Sequence, residues 1–187
     1  MSIIRYGLRL LALGAVHALG AQELSAQSQI ISLAAAKAGE LIVTIQSGAV
    51  QTIAGVTDNA LNAFPAPIVI NTDWNVKANQ TNTLNLVAYF TLPAQAMVGG
   101  TTQIPSSRLQ GRMATGLPTS FTAFTQNGLG GVGTVGGSLR LFSVNVTNGN
   151  RRDDRTDNLD LRLNLVGFPP LAAGSYTGTL NIRAVTQ

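Results

Sequence analysis

From residue 159 to residue 165 every second position is leucine: Leu159, Leu161, Leu163 and Leu165 alternate with Asp160, Arg162 and Asn164. Side chains leave alternate faces of a strand, so this run buries one face and wets the other only as β structure. The same period of two recurs through Ile31, Leu33 and Ala35, through Leu41, Val43 and Ile45, and through Ile68, Ile70, Thr72, Trp74 and Val76. It returns in Leu84, Leu86, Ala88 and Phe90, in Leu109, Gly111 and Met113, in Phe142, Val144 and Val146, and in Tyr176, Gly178, Leu180, Ile182 and Ala184. Phe121 to Phe124 adds a short strand, and helical spacing is convincing nowhere. Gly39-Glu40 interrupts the alternation, and Asn79-Gln80-Thr81-Asn82, Asn148-Gly149-Asn150 and the Pro-containing stretch 167–174 read as turns. About nine strands joined in this way predict an all-β, immunoglobulin-like antiparallel sandwich forming a single domain over residues 27–187.

The chain opens with Arg5 and Arg9, no acid, and an apolar stretch from Leu10 to Val16 that runs on to Ala21. A basic start, a short apolar middle and small residues after it are the parts of a secretory signal peptide. The apolar stretch is about 12 residues, short of the roughly 20 a spanning helix needs. Ala18-Leu19-Gly20-Ala21 and Leu24-Ser25-Ala26 both offer cleavage sites, and the second is preferred, making residues 1–26 the leader. Its removal lowers the basic residues from 12 to 10 and the acids from 8 to 7. The remaining bases are scattered without interleaved aromatics, so nucleic acid is not an expected partner, and no membrane span is expected after the leader.

Export usually favours disulfides, yet the sequence has no cysteine, so packing and β-ladders must supply the stability. The single histidine, His17, lies in the leader. A mature chain without His or Cys cannot run Ser–His or Cys–His nucleophilic catalysis, and it lacks the usual ligands of zinc, copper and non-haem iron. No cofactor and no enzymatic activity are therefore expected. Carboxylate pairs need no histidine to hydrolyse glycosides. Asp73 beside Trp74 is the one acid on an expected strand next to an aromatic, and it reads as a wet-face residue next to a core tryptophan. Trp74, Tyr89 and Tyr176 could form a sugar platform, but Trp74 is in phase with Ile68 and Ile70 and belongs with the core. Arg151-Arg152-Asp153-Asp154-Arg155-Thr156-Asp157 lacks the spacing of a calcium loop and reads as a solvated, internally paired turn. Six glycines between Gly128 and Gly137, with no Gly-Lys-Ser or Gly-Lys-Thr after them, read as a mobile hairpin tip.

The most specific segment is the last one. In Leu171-Ala172-Ala173-Gly174-Ser175-Tyr176-Thr177-Gly178-Thr179-Leu180-Asn181-Ile182, an Ala-Gly-x-Tyr-x-x-Thr pattern leads into alternating apolar residues after a Pro-containing turn. It resembles the final strand of bacterial chaperone–usher pilus subunits, in particular the spore-coat-U-like, archaic group, with Gly174, Tyr176, Gly178, Thr179, Leu180 and Ile182 carrying the likeness. The resemblance implies a sandwich lacking one strand, completed by the N-terminal extension of the next subunit. Residues 27–37 suit that donor role: they contain no Gly or Pro, begin polar, and present Ile31, Leu33 and Ala35 on one side. Many relatives carry a disulfide, which this chain lacks.

The expected function is a structural subunit of an extracellular fibre, assembled by donor-strand complementation for attachment or biofilm cohesion. Its partners would be copies of itself or related pilin subunits, with a periplasmic chaperone and an outer-membrane usher. The competing expectation is a monomeric exported β-sandwich module that binds carbohydrate or a cell-envelope partner.

Overall fold

The computed structural model describes residues 40–77 and 82–187. Their strands are β1 (Glu40–Ser47), β2 (Leu61–Ala63), β3 (Ile68–Asn75), β4 (Asn82–Tyr89), β5 (Met97–Gly99), β6 (Thr102–Ile104), β7 (Leu109–Met113), β8 (Thr122–Ala123), β9 (Ser138–Val146), β10 (Arg152–Asn164) and β11 (Asn181–Thr186). The only helical pieces among them are single 3-10 turns at Pro93–Gln95 and Ser106–Arg108. No helix of the described residues is long and apolar enough to cross a membrane.

The strands form an all-β sandwich. One sheet runs β1-β3-β10-β7-β8, with β2 also on β10, and the other runs β11-β4-β9. β5 and β6 make a separate hairpin, and all the pairings are antiparallel. Register puts the leucine run to use: Leu159 lies opposite Ile68 and Met113, Leu161 opposite Gly111, and Leu163 opposite Leu109. In the second sheet Leu86 lies opposite Phe142 and Ala184, and Ala88 opposite Leu139 and Ile182. These two inner faces merge in one core that also takes in Ile70, Trp74 and Phe124. They meet closely: a Cβ on Gly111 would stand 2.8 Å from Leu139 Cδ2 across the gap.

Two expectations need correction. The charged run 151–157 is not a turn, because β10 begins at Arg152 and pairs through Asp157 with Asn75 to Ile70 of β3. Asp157 shares the inward phase of Leu159 and is 1% exposed. It survives there because the Arg155 guanidinium donates to it through Nε at 2.6 Å and Nη2 at 2.5 Å, and the Thr115 hydroxyl donates at 2.8 Å. Arg155 in turn lies 4.4 Å over the Phe142 ring of the facing sheet.

The glycine-rich stretch is not a free hairpin tip. Leu129 and Val132 exchange backbone hydrogen bonds of 2.7 and 2.8 Å, and Gly130 lies where a Cβ would come within 2.9 Å of Val185 on β11. Positive φ at Gly130, Gly131, Gly133 and Gly136 lets the loop make these reversals at no steric cost. The loop thereby roofs the outer side of the small sheet, where Val87 is 1% exposed.

Candidate functional site

Among the described residues β11 pairs only with β4, and β1 only with β3. The two strands close one side of the sandwich, one from each sheet, and approach within 8 Å at Cα without pairing. Thr83 and Gln187 exchange backbone hydrogen bonds of 2.7 and 2.9 Å. In an antiparallel ladder such pairs recur every second residue, so Val185, Arg183 and Asn181 point their backbone groups at β4. Ile182, Ala184 and Thr186 then turn theirs outward, toward the seam beside β1, where no described strand receives them. Unpaired edge groups of this kind are a template for a further strand.

A cavity of about 460 Å³ opens at one end of this seam, between the segment 51–56 that follows β1 and the segment 171–177 that leads into β11. Phe64, Met97, Ile104 and Leu163 form the apolar part of its wall, which Gln51, Thr52, Ser175 and Thr177 complete with polar groups. A narrower recess of about 50 Å³ continues inward toward Leu161, Gly178 and Leu180. Gln51 lines both. Its Nε2 donates to the Gly48 carbonyl at 3.0 Å, whereas its Oε1 is buried with no donor among the described residues. A buried acceptor left unpaired is costly, and an incoming backbone N–H would relieve it.

The C-terminal motif builds much of this site. Regular pairing of the last strand starts only at Asn181, and residues 176–180 form an irregular lead-in rather than the expected strand. Thr177 holds that lead-in to β5 by exchanging hydrogen bonds of 2.8 and 3.0 Å with Val98. Gly174 and Tyr176 line the cavity. The Tyr176 hydroxyl donates to the Ala172 carbonyl at 2.9 Å, closing the turn. Gly178 passes the β5 hairpin so tightly that a Cβ would meet the Ala96 carbonyl oxygen at 2.0 Å. Leu180 and Ile182 are buried, and Thr179 is exposed. Ile31, Leu33 and Ala35 lie outside the described residues.

Trp74 is 3% exposed and gives its indole N–H to the Asn150 carbonyl at 2.8 Å, so it is a core residue and builds no platform with Tyr89 and Tyr176. Asp73 is exposed on the outer face of β3. Gln51, Phe64 and Met97 were not legible as site residues, since each lies in or beside a stretch with no regular period.

Compared with family models, with curated proteins and with solved structures, the chain finds no match.

Proposed function

We propose that the protein is a structural subunit of an extracellular fibre, in which the seam between β1 and β11 accepts a strand from a neighbouring copy. The observation that carries this reading is the juxtaposition of two unpaired strand edges, one from each sheet, beside a cavity with an apolar wall of Phe64, Met97, Ile104 and Leu163. A strand entering there would bond to the outward groups of Ile182, Ala184 and Thr186, place alternate side chains in the cavity, and offer an N–H to Gln51 Oε1. The segment 27–37 has the matching form, with Ile31, Leu33 and Ala35 on one side.

The link of Tyr176 to the backbone four residues upstream, just before the last strand, is similar to the tyrosine corner of immunoglobulin-like domains and supports that finer description of the sandwich. The likeness of the C-terminal segment to chaperone–usher subunits agrees with it. An exported structural role also accords with a mature chain lacking His and Cys, and we read the protein as a non-enzyme.

The test is deletion of residues 27–37 from the exported protein, followed by sizing and negative-stain microscopy. Loss of linear polymers, with recapture of the same segment as a peptide, is the expected result. A deleted protein that stays a stable monomer and takes up no peptide would overturn the reading, as would a full-length protein that is monomeric because the segment completes its own sandwich. Leu33→Asp should disrupt assembly far more than Ser32→Asp, because a period of two puts only one of them against the core.

A further inference from the structure

The outer face of the larger sheet carries a cluster unrelated to the seam. On β7, Gln110 and Arg112 point outward; opposite them on β10 stand Arg162 and Asp160. Phe121, immediately before β8, lies under both guanidiniums: Arg112 is 4.7 Å and Arg162 is 4.1 Å from its ring centroid. Arg108, at the end of the 3-10 turn that leads into β7, repeats the arrangement over Phe168 at 5.1 Å and donates to the Val166 carbonyl at 2.8 Å. Arginine side chains are normally free rotors at a surface. Here three of them are held flat by rings and hydrogen bonds, which lowers the ordering cost of any ligand they bind.

Charge on this patch is not balanced. Arg112 spends Nε and Nη2 on Asp160, at 3.2 and 2.7 Å. Arg162 gives Nε to the neutral Gln110 oxygen at 2.6 Å, which leaves both terminal amines without an acceptor among the described residues. Asp160 is the sole carboxylate among these groups. The next acid outward on β10, Asp154, stands six residues away, roughly 20 Å along the strand.

We infer that the Arg108, Arg112 and Arg162 patch binds a linear anionic polysaccharide bearing repeated carboxylates. Planar guanidinium forks match carboxylates in a bidentate fashion, and a flat sheet face suits an extended chain. Nucleic acid is disfavoured, because single strands need free aromatic faces for stacking and Phe121 is occupied by arginine. An acidic protein is disfavoured because Phe121 and Phe168, the aromatic side chains of the patch, are covered by arginine and offer no anchor. The inference is independent of strand exchange at the seam.

The test measures retention of the full exported chain on immobilised polygalacturonate at low salt, with neutral dextran and single-stranded DNA as comparison surfaces. The protein should bind polygalacturonate in a salt-sensitive way and ignore dextran. Binding should fall roughly tenfold in R112Q/R162Q and change by less than about twofold in R140Q, which removes an exposed arginine from the other sheet. R162Q alone leaves the Arg112–Asp160 pair in place, and it should lose about threefold with an unchanged thermal midpoint, so the test stands even where the double variant folds poorly. Retention of R162Q equal to that of the parent, an equal loss in R140Q, no binding by the parent, or a preference for DNA would each overturn the assignment.

Discussion

Gly178 and Ala96 are packed backbone to backbone: a Cβ on Gly178 would stand 2.0 Å from the Ala96 carbonyl oxygen, and the next atoms it would meet lie at 3.0 and 3.1 Å. Main chain cannot yield as a flexible side chain does. Gly178→Ala should therefore force the lead-in of β11 away from the β5 hairpin and cost about 1–3 kcal/mol. The single tryptophan, Trp74, is buried and reports the transition, so urea unfolding followed by its fluorescence measures the loss.

Leu163→Ala and Leu161→Ala should each cost about 2–5 kcal/mol, because both side chains are packed between the sheets. Arg162→Ala, between them and facing water, should cost less than about 1 kcal/mol. Equal effects at the three positions in the same unfolding assay would contradict the observed register.

The two ion pairs should behave differently. Asp157→Ala leaves the Arg155 guanidinium, 28% exposed, without its carboxylate, and removes the acceptor of Thr115. A loss of about 2–4 kcal/mol is expected. Asp160→Ala breaks a pair whose members are 45% and 33% exposed, and should cost under about 1 kcal/mol. Differential scanning calorimetry of the two variants makes the comparison.

Neighbouring positions on β11 separate folding from strand addition. Proline at position 184 removes an N–H that points into the seam, whereas proline at 185 removes one bonded to β4. Ala184→Pro should keep a cooperative unfolding transition and lose capture of the 27–37 peptide by at least about tenfold. Val185→Pro should fail to give a folded protein. Circular dichroism and peptide titration together distinguish these outcomes.

How much of this was legible in the sequence depended on strand length and on which face was buried. β3 and the second half of β10 are long and one-sided, so their alternation stood out; β4, buried on both faces, still showed Leu84, Leu86 and Ala88 in phase. The first half of β10 was hidden because Arg152, Asp153 and Asp154 are all exposed there, leaving Asp157 and its arginine as the only buried sign. β2, β5 and β6 have three residues each, too few to display a period. The part of the candidate site made by Gly174, Tyr176, Gly178 and Leu180 was visible in the C-terminal motif. The rest, at Gln51, Phe64 and Met97, comes together only because the fold brings the ends of β1 and β2 beside the β5 hairpin.

The three-stranded sheet has one face on the core and the other under the glycine-rich loop. Its β9 edge is partly covered: Ser138 bonds to Gln126, the Arg140 N–H to the Gln126 side chain, the Leu141 carbonyl to Leu117 and the Asn145 carbonyl to Asn150. Of this sheet's two margins, the β11 one is the more open among the described residues, and it faces the β1 edge of the other sheet across the seam. If the seam between β1 and β11 is where a strand is accepted, each copy has one acceptor, and with a single donor per copy growth by strand addition can lengthen a thread but cannot branch it or knit it into a sheet.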